Sequence, residues 1–310
     1  MTETLVFASV VDPVAPWRNA LAELLPDLRV RTPDEIGPDD VVRYALVWKP
    51  PAGFFMRYPD LRLVTILGAG ADSLAGRDDL PDVPVTRLSD PGMGRMMAQY
   101  VLFAVLRYAR DIPAFEAAQR EARWHYIHPR EAREIRVGVL GAGELGGLAA
   151  GELARQGFQV SAWSRSRKDL PGIRCHAGAD ALIPFLRDAE ILIIMLPLTR
   201  DTRGLIGAAE LAALPRGAKL VNVARGPIVD EAALLAALYS GHLGGATLDV
   251  FETEPLAEHH PLWRHENVLV TPHLASVAIP ASAARQVAEN IRRVAAGGEP
   301  AHSVDLVRGY

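Results

Sequence analysis

A strand, a glycine-rich turn and a helix follow one another in the segment "RVGVLGAGELGGLAAGELAR" at 136–155. Gly141, Gly143 and Gly146 have the spacing G-x-G-x-x-G directly after the apolar strand. In this context the first glycine permits a tight turn, the second lets the backbone approach a pyrophosphate, and the third lets helix and strand pack closely. The unpaired N–H groups that begin the helix then bind the anion. The segment predicts a dinucleotide-binding α/β domain, with a glycine-rich turn that holds no ligand as the alternative.

A basic cluster stands where the next strand ends, in "VSAWSRSRK" at 160–168. Ser164 follows Gly146 with seventeen residues between them, the position at which a carboxylate usually accepts hydrogen bonds from a ribose 2′-OH. A carboxylate there would repel a 2′-phosphate, whereas a hydroxyl and guanidinium groups donate to one. The cluster therefore predicts NADPH in preference to NADH, although charge runs are often only solvated surface. The candidate contacts are Ser164, Arg165, Ser166 and Lys168, with Arg165 first among them and Arg167 also within the cluster.

Strand-like apolar runs alternate with helical patterns along the whole chain, which is typical of parallel α/β architecture. The spacing predicts early strands at 5–11, 28–31, 43–48, 61–67 and 83–87, with a helix at 14–25. A long amphipathic helix is predicted at 92–110, and the proline at 113 either ends it or begins another helix. Later strands are predicted at 136–140, 158–163, 173–176, 190–196, 219–223, 246–250 and 268–271. Helices are predicted at 145–155, 179–187, 231–239 and 280–296, and a loop at 124–134.

Composition places the chain among ordinary globular proteins and excludes several classes of partner. The hydrophobic fraction is 49%, the charged fraction is 23% and the formal net charge is -4, so neither nucleic acid nor a membrane is expected as a partner. No apolar run approaches the roughly 18 residues of a membrane span, and the N-terminus lacks the features of a signal peptide. Cys175 is the single cysteine, so we expect no internal disulfide, a reducing compartment and a cytoplasmic location.

Several further segments resemble the D-isomer-specific 2-hydroxyacid dehydrogenase family. They are "GAGELG", "NVARGPIVDEAALLAAL", "GATLDVFETEPL", "HPLWRHENVLVTPHLAS" and "VRGY". Within that family, "WSRSRK" and "VWKPP" are most similar to segments of the glyoxylate and hydroxypyruvate reductases, and the likeness runs over 46–310. The resemblance implies two Rossmann-like or flavodoxin-like parallel-sheet domains with an active-site cleft between them. We expect residues 1–95 plus 276–310 to form the substrate-binding domain, and residues 96–275 to form the NAD(P)-binding Rossmann domain.

The resemblance assigns catalysis to Arg225 in "NVARG", Glu254 in "ETEP" and His273 in "TPH". Reduction of a 2-keto acid needs a hydride at the carbonyl carbon and a proton at its oxygen. Histidine is the side chain whose ordinary pKa makes it a ready acid near neutral pH. A carboxylate against the imidazole favours its charged form, and a guanidinium binds the substrate carboxylate and stabilises charge on the carbonyl oxygen.

The resemblance also implies further contacts with the cofactor from loops that follow strands of the nucleotide domain. The candidates are Glu144, Leu145, Leu196, Pro197, Val223, Ala224 and Asp249, the last either touching the cofactor or supporting a neighbour. No metal is expected.

A second glycine-containing loop, "ILGAGADS" at 66–73, follows a strand of the first domain. Its small residues allow consecutive backbone N–H groups to bind an anion, and the equivalent loop of the family holds the substrate carboxylate. Gly68, Ala69, Gly70 and Ala71 are therefore candidates for substrate binding, with a plain tight turn as the alternative and Asp72 as a minor candidate. In "VWKPP", Trp48 is a further candidate for the substrate site. Lys49 is a less certain one, because many relatives have histidine there.

These features predict an NADPH-dependent reductase of small 2-keto acids such as glyoxylate and hydroxypyruvate. A homodimer is expected. Related reductases use an aromatic residue of the loop at 124–134 to cap the partner's pocket, so Trp124 is a candidate for this role, with an ordinary surface tryptophan as the alternative. One alternative is a reductase of bulkier 2-keto acids, because Trp48, Trp263 and the residues at 93–97 would suit a small or a large pocket. The other alternative is a non-catalytic, dinucleotide-sensing protein resembling the corepressors of this family. The presence of all three catalytic residue types argues against it.

Overall fold

The computed structural model describes residues 3–306 and 308–309, so Val307 and Tyr310 of the "VRGY" segment lie outside the described residues. Contacts divide the chain into two units, Met1–Met93 with Val277–Tyr310 and Gly94–Ser276. The first boundary falls inside a long helix, two residues before the predicted division after residue 95. We call the two parts the first unit and the nucleotide unit.

The first unit is built on a five-stranded parallel sheet. In chain order its strands are β1 (Glu3–Ala8), β2 (Arg29–Arg31), β3 (Val41–Val47), β4 (Leu63–Ile66) and β5 (Val85–Arg87). They lie in the order β2-β1-β3-β4-β5, the order of flavodoxin-like sheets. Helices α1 (Val14–Leu24) and α8 (Pro280–Ala295) pack against each other and share a hydrophobic core with one face of the sheet. Strand residues alternate between two cores, since Leu5 and Phe7 join this one while Val6 joins the other.

The nucleotide unit contains a seven-stranded parallel sheet. Its strands are β6 (Arg136–Leu140), β7 (Gln159–Ser164), β8 (Arg174–Ala177), β9 (Ile191–Ile194), β10 (Ala218–Asn222), β11 (Leu243–Leu248) and β12 (Val268–Val270). The order is β12-β11-β10-β9-β6-β7-β8. Strands β7 and β8 are added on one side of β6, and β9 to β12 are added on its other side, so the strand order reverses between β6 and β9. This is the doubly wound Rossmann order with one added strand, and ligands of such sheets bind outside the carboxyl ends of the strands. The predicted fold class of two parallel-sheet α/β domains is confirmed.

Helices connect these strands and cover both faces of the sheet. They are α2 (Pro91–Ala109), α3 (Ile112–Arg120), α4 (Glu144–Arg155), α5 (Leu182–Asp188), α6 (Ala208–Ala213) and α7 (Glu231–Tyr239). Two buried clusters lie on opposite faces, so the strands of this sheet carry nearly continuous apolar runs such as Ile191–Ile194. Across the described ranges 3–306 and 308–309, no helix is both long and apolar enough to cross a membrane.

The structure corrects the predicted end of the first strand. The prediction continues the first strand to residue 11, but β1 ends at Ala8 and Val10 is 86% exposed. The hydroxyl of Ser9 accepts the backbone N–H of Asp12 and donates to its carboxylate at 2.6 Å, which closes a tight turn. Local side-chain hydrogen bonding therefore overrides the β-branched sequence that follows.

Candidate active site

The glycine turn after β6 has the three properties that a pyrophosphate site needs. Gly141 has φ of 119°, and a Cβ there would lie 2.6 Å from the Met195 carbonyl oxygen. A Cβ at Gly146 would lie 1.8 Å from the Gly141 carbonyl oxygen, so helix and turn touch through backbone alone. A Cβ at Gly143 would meet nothing within 4 Å, and no side chain caps the helix that begins at Glu144. Open space in front of uncapped N–H groups fits a bound pyrophosphate.

The end of β7 presents hydroxyl and basic groups in place of a carboxylate. Ser164 is the last residue of the strand, is buried, and donates its hydroxyl to the Ser166 carbonyl oxygen at 2.7 Å. The residues that follow, Arg165, Ser166, Arg167 and Lys168, are all exposed. Because β7 is adjacent to β6 in the sheet, these groups follow the strand next to the glycine turn. Cationic donors at this edge fit a 2′-phosphate better than a 2′-hydroxyl.

The other predicted cofactor contacts also follow the carboxyl ends of strands in this sheet. Leu196 and Pro197 come after β9, and Val223 and Ala224 come after β10. Leu145 lies in the first turn of α4. Since β9 is the neighbour of β6 on the side opposite β7, the predicted cofactor residues share one edge of the sheet, across the point where the chain reverses.

His273 and Glu254 are in direct contact. The Nδ1 atom of His273 lies 2.9 Å from Oε2 of Glu254, and the side chains are 24% and 19% exposed. An ionised carboxylate only accepts hydrogen bonds, so Nδ1–H donates to Glu254. The other carboxylate oxygen, Oε1, accepts the backbone N–H of Phe251 at 3.2 Å. Phe251 lies near the start of the loop that carries Glu254, so this bond holds the carboxylate against the first residues of the loop.

The loop that carries His273 is held by the buried Asp249. His273 has φ of 54°, and its backbone N–H donates to the Asp249 carbonyl oxygen at 2.8 Å. The Asp249 carboxylate accepts from the Leu274 and Ala275 N–H groups, both at 2.9 Å, and from the Thr271 hydroxyl at 2.6 Å. Asp249 was predicted as a cofactor contact or a support for a neighbour. The structure places its carboxylate under the His273 loop, with all these donors supplied by the chain.

A tyrosine of α2 reaches the same loop from outside the sheet. The Tyr100 hydroxyl lies 2.6 Å from the Thr271 hydroxyl. Burial raises the pKa of Tyr100 to about 12, so the phenol stays protonated throughout the neutral range.

Arg225 follows β10 and is positioned by two backbone contacts. The buried Asn222 donates its amide to the Arg225 carbonyl oxygen at 3.0 Å and accepts the Ala224 N–H at 3.1 Å. A Cβ at the next residue, Gly226, would lie 1.9 Å from the carbonyl carbon of Phe251. The Arg225 loop therefore rests on the start of the loop that carries Glu254, and the nucleotide unit brings all three predicted catalytic residues to one set of mutually supporting loops.

The loop 68–71 of the first unit follows β4 and packs against an indole. A Cβ at Gly68 would lie 2.6 Å from the Trp48 ring, so the tryptophan covers this glycine. Ala69 and Gly70 are half-buried, Ala71 is buried, and a turn over 72–76 follows in place of a helix. Lys49 has φ of 45°, and its Nζ lies 5.8 Å from the centre of the Trp48 ring. Trp48 and this loop follow neighbouring strands, β3 and β4, of one sheet.

The remaining candidates lie in varied surroundings. Met93 and Met97 are buried in the cores of the first unit and the nucleotide unit, while Trp263 is half-exposed and donates its indole N–H to the Ala257 carbonyl oxygen at 2.9 Å. Trp124 is 98% exposed. Within 3–306 and 308–309, no group of three or more His, Cys, Asp or Glu side chains could hold a metal ion.

Sequence reasoning missed Asn222, Gly226, Thr271 and Tyr100. Asn222 and Gly226 lie in the "NVARG" segment already quoted, and a polar residue that ends an apolar strand is a usable signal. The contact between Tyr100 and Thr271 joins positions 171 residues apart, so no local pattern reveals it.

Comparison with known proteins identifies the family. Residues 102–275 match the model of the D-isomer specific 2-hydroxyacid dehydrogenase NAD-binding domain. Glyoxylate/hydroxypyruvate reductase A of Serratia proteamaculans is 41% identical over 300 residues, covering 95% of this chain and 96% of that protein.

Solved structures agree with this result. A D-isomer specific 2-hydroxyacid dehydrogenase from Xanthobacter autotrophicus Py2, in complex with NADPH and MES, is 62% identical with a TM-score of 0.95 over 100% of both chains. The NADPH-dependent glyoxylate/hydroxypyruvate reductase of Sinorhizobium meliloti, in complex with NADP and sulfate, is 36% identical with a TM-score of 0.93, covering 99% of this chain and 100% of that one. The predicted resemblance is confirmed, and the chain belongs to the D-isomer-specific 2-hydroxyacid dehydrogenases, a family of NAD(P)-dependent oxidoreductases.

Proposed function

We propose that this protein is an NADPH-dependent reductase that converts glyoxylate, hydroxypyruvate or a similar small 2-keto acid to the 2-hydroxy acid. The observation that carries the proposal is the 2.9 Å contact between His273 Nδ1 and Glu254 Oε2, on loops that follow strands of a dinucleotide-binding sheet. The relatives named glyoxylate/hydroxypyruvate reductase, one of them NADPH-dependent, support the choice of substrate and cofactor.

The nucleotide unit has the groups to hold NADPH. The open approach at Gly143 and the uncapped start of α4 would receive the pyrophosphate, while Ser164 and Arg165 would donate to the 2′-phosphate. When bound, NADPH supplies the hydride that reduces the keto carbon. Residues after β9 and β10, among them Leu196 and Val223, would line the path of the cofactor along the sheet edge.

His273 would act as the general acid. Its Nδ1–H donates to Glu254, which orients the ring, and Nε2–H would protonate the carbonyl oxygen as the alcohol forms. Glu254 is itself fixed by the Phe251 N–H, so the imidazole is held in one orientation. General acids in such positions accelerate reactions by about 10²–10⁴.

Arg225 would bind a carboxylate or a carbonyl oxygen of the substrate, and the loop 68–71 is a separate candidate for the carboxylate. A guanidinium offers a planar pair of donors that matches a carboxylate and also stabilises negative charge developing on the carbonyl oxygen. The N–H groups of Gly68, Ala69 and Gly70 would bind the carboxylate as an anion nest, with Trp48 as an apolar wall beside them.

We further propose that the protein is a homodimer formed through the nucleotide unit. Large apolar side chains on α2 and the segments after it are exposed, and exposed apolar groups of this kind mark interfaces. They are Phe103, Leu106, Ile112, Trp124 and Tyr126. Light scattering should give twice the chain mass, and Phe103→Asp with Leu106→Asp should give the monomer. A wild-type monomer at micromolar concentration would refute the proposal.

The single cysteine supports a cytoplasmic location.

The test of function is oxidation of NADPH at 340 nm with a panel of 2-keto acids. We expect turnover with glyoxylate and hydroxypyruvate and weaker turnover with phenylpyruvate and branched 2-keto acids. NADH in place of NADPH should raise the KM for the cofactor. Preference for phenylpyruvate would favour a reductase of bulkier acids. Tight NADPH binding with no turnover of any member would favour a sensing protein and overturn the proposal.

A further inference from the structure

A chain of three hydrogen-bonded side chains joins α2 to the loop of the proposed acid. Thr271 donates its hydroxyl proton to Asp249 Oδ1 at 2.6 Å, since an ionised carboxylate only accepts. The threonine has one hydroxyl proton, so the 2.6 Å contact with Tyr100 must be donated by the tyrosine. The direction of the chain is therefore fixed: Tyr100 to Thr271 to Asp249.

The chain ends on the group that fixes the backbone of His273. A left-handed conformation at a non-glycine residue costs on the order of 1–2 kcal/mol and persists only where the surroundings enforce it. Asp249 enforces it through its carbonyl oxygen, which accepts the His273 N–H, and through its carboxylate, which accepts the next two N–H groups. A change in the orientation of this carboxylate would shift the imidazole with it.

A second tyrosine of the same helix gives a comparison within the molecule. The Tyr108 hydroxyl lies 2.9 Å from the Thr247 hydroxyl and is buried. Thr247 lies inside β11, so this bond ties α2 to the sheet and not to the His273 loop. Burial raises the pKa of Tyr108 to about 12, as it does for Tyr100, so the two phenols share their protonation state. The two tyrosines therefore differ chiefly in their partners: Tyr100 contacts Thr271 beside the His273 loop, and Tyr108 contacts Thr247 within β11.

We propose that Tyr100 is a positioning residue for His273, acting through Thr271 and Asp249 to hold the imidazole where it can transfer a proton. The proposal rests on the proposed function, in which His273 is the general acid. Tyr100 itself contributes no proton to the reaction. The Tyr100 hydroxyl holds the Thr271 side chain in the rotamer from which its hydroxyl donates to Asp249. The Asp249 carboxylate in turn holds the backbone that follows His273.

The kinetic test compares Tyr100→Phe with Tyr108→Phe, each of which removes one hydroxyl from the same helix. A misplacement of about 1 Å costs up to 10²-fold in rate, so we expect Tyr100→Phe to lower kcat for glyoxylate about tenfold. The KM for glyoxylate and the Kd for NADPH should stay within about twofold, because neither binding group moves. Tyr108→Phe should lower the melting temperature and leave kcat within about twofold. An unchanged kcat in Tyr100→Phe, or an equal fall in both variants, would overturn the proposal.

A second measurement does not depend on turnover. The imidazole signals of His273, assigned by their loss in His273→Gln, are followed by NMR against pH. Tyr100→Phe and Thr271→Val should both change the chemical shifts of His273, whereas Thr247→Val should leave them unchanged. Unchanged signals in both of the first two variants would overturn the positioning role even if kcat falls. If the wild-type protein reduces no 2-keto acid, the proposed function fails while these spectra still decide whether Tyr100 positions His273.

Discussion

The two units place small-residue loops at the carboxyl ends of parallel strands, but they support these loops differently. In the nucleotide unit, Gly146 and Gly226 pack directly on other backbone. A Cβ at Gly146 would lie 1.8 Å from the Gly141 carbonyl oxygen, and a Cβ at Gly226 would lie 1.9 Å from the Phe251 carbonyl carbon. In the first unit, Gly68 is covered by the Trp48 side chain. Backbone that packs on backbone yields only when a strand or helix shifts, whereas a side chain can yield by a small change of its torsion angles. The nucleotide unit therefore supports its loops through backbone, and the first unit supports its loop through a side chain.

The largest effect on kcat is expected at His273, the proposed acid of the nucleotide unit. His273→Gln keeps the size and polarity of the side chain but removes the transferable proton, so kcat for glyoxylate should fall by about 10²–10⁴. The matched control is His260→Gln, because His260 Nε2 also contacts a glutamate, Glu231, at 2.9 Å. In steady-state kinetics, the kcat of His260→Gln for glyoxylate should stay within a few-fold of the wild-type value. A His273→Gln enzyme with full kcat would remove this residue from the chemistry.

Gly146→Ala tests the backbone support directly. The added methyl group would meet the Gly141 carbonyl oxygen, and neither group can withdraw, so the turn that receives the pyrophosphate should distort. We expect the Kd for NADPH to rise about 100-fold, which corresponds to about 2.7 kcal/mol, and the melting temperature to fall. Gly147→Ala is the control, because its Cβ would meet only Leu170 at an ordinary 3.5 Å. Fluorescence titration measures the Kd for NADPH of both variants. Equal Kd values for Gly146→Ala and Gly147→Ala would show that the turn adapts to the added methyl group.

Arg165→Ala tests which group selects the cofactor. Loss of a hydrogen bond from a charged donor costs about 1.5–3 kcal/mol, so the Kd for NADPH should rise roughly 10- to 100-fold while that for NADH changes little. Arg174→Ala removes an exposed charge at the other end of the sheet, where β8 begins, and should leave the ratio of the two Kd values unaltered. Equal weakening of both cofactors by Arg165→Ala would mean that the cluster does not read the 2′-phosphate.

The smallest effect is expected in the first unit. Gly68→Ala would place a methyl group 2.6 Å from the Trp48 ring, but the indole can shift, so the KM for glyoxylate should rise only about five- to tenfold, close to 1 kcal/mol. The Kd for NADPH should not change. Gly37→Ala in the same unit meets only a side-chain oxygen at 3.7 Å and serves as the control. A loss of folding in Gly68→Ala, seen by circular dichroism, would show this loop to be as rigid as the glycine turn at 141–146.

The sequence predicts what depends on local pattern. Apolar runs place nearly every strand within a few residues, and the glycine spacing predicts a turn whose geometry the structure then supplies. The strand prediction includes Val10 because β-branching outweighs a short polar turn in such patterns. The helix Ala208–Ala213 was missed because six residues give too short a period to recognise.

Contacts between distant positions are outside the reach of a single sequence. The motifs name Arg225, Glu254 and His273 but not the groups that hold them. The support from Asn222 is local and its polarity at the end of an apolar strand is a signal, whereas Tyr100 lies in an amphipathic helix pattern that a core residue would satisfy equally well. Only the fold brings these side chains to the loops they hold.

The contact of Gly226 with Phe251 limits how such an enzyme could be redesigned. Since the backbone at 226 leaves no room for any side chain, a mutant library that varies this position would consist mostly of misassembled loops. Trp48 instead meets Gly68 and the two hydrophobic cores of the first unit through its side chain, so variation there changes side-chain packing and not a contact between backbones. Directed evolution of substrate range is therefore best begun in the first unit, with the sequence around Arg225 left untouched.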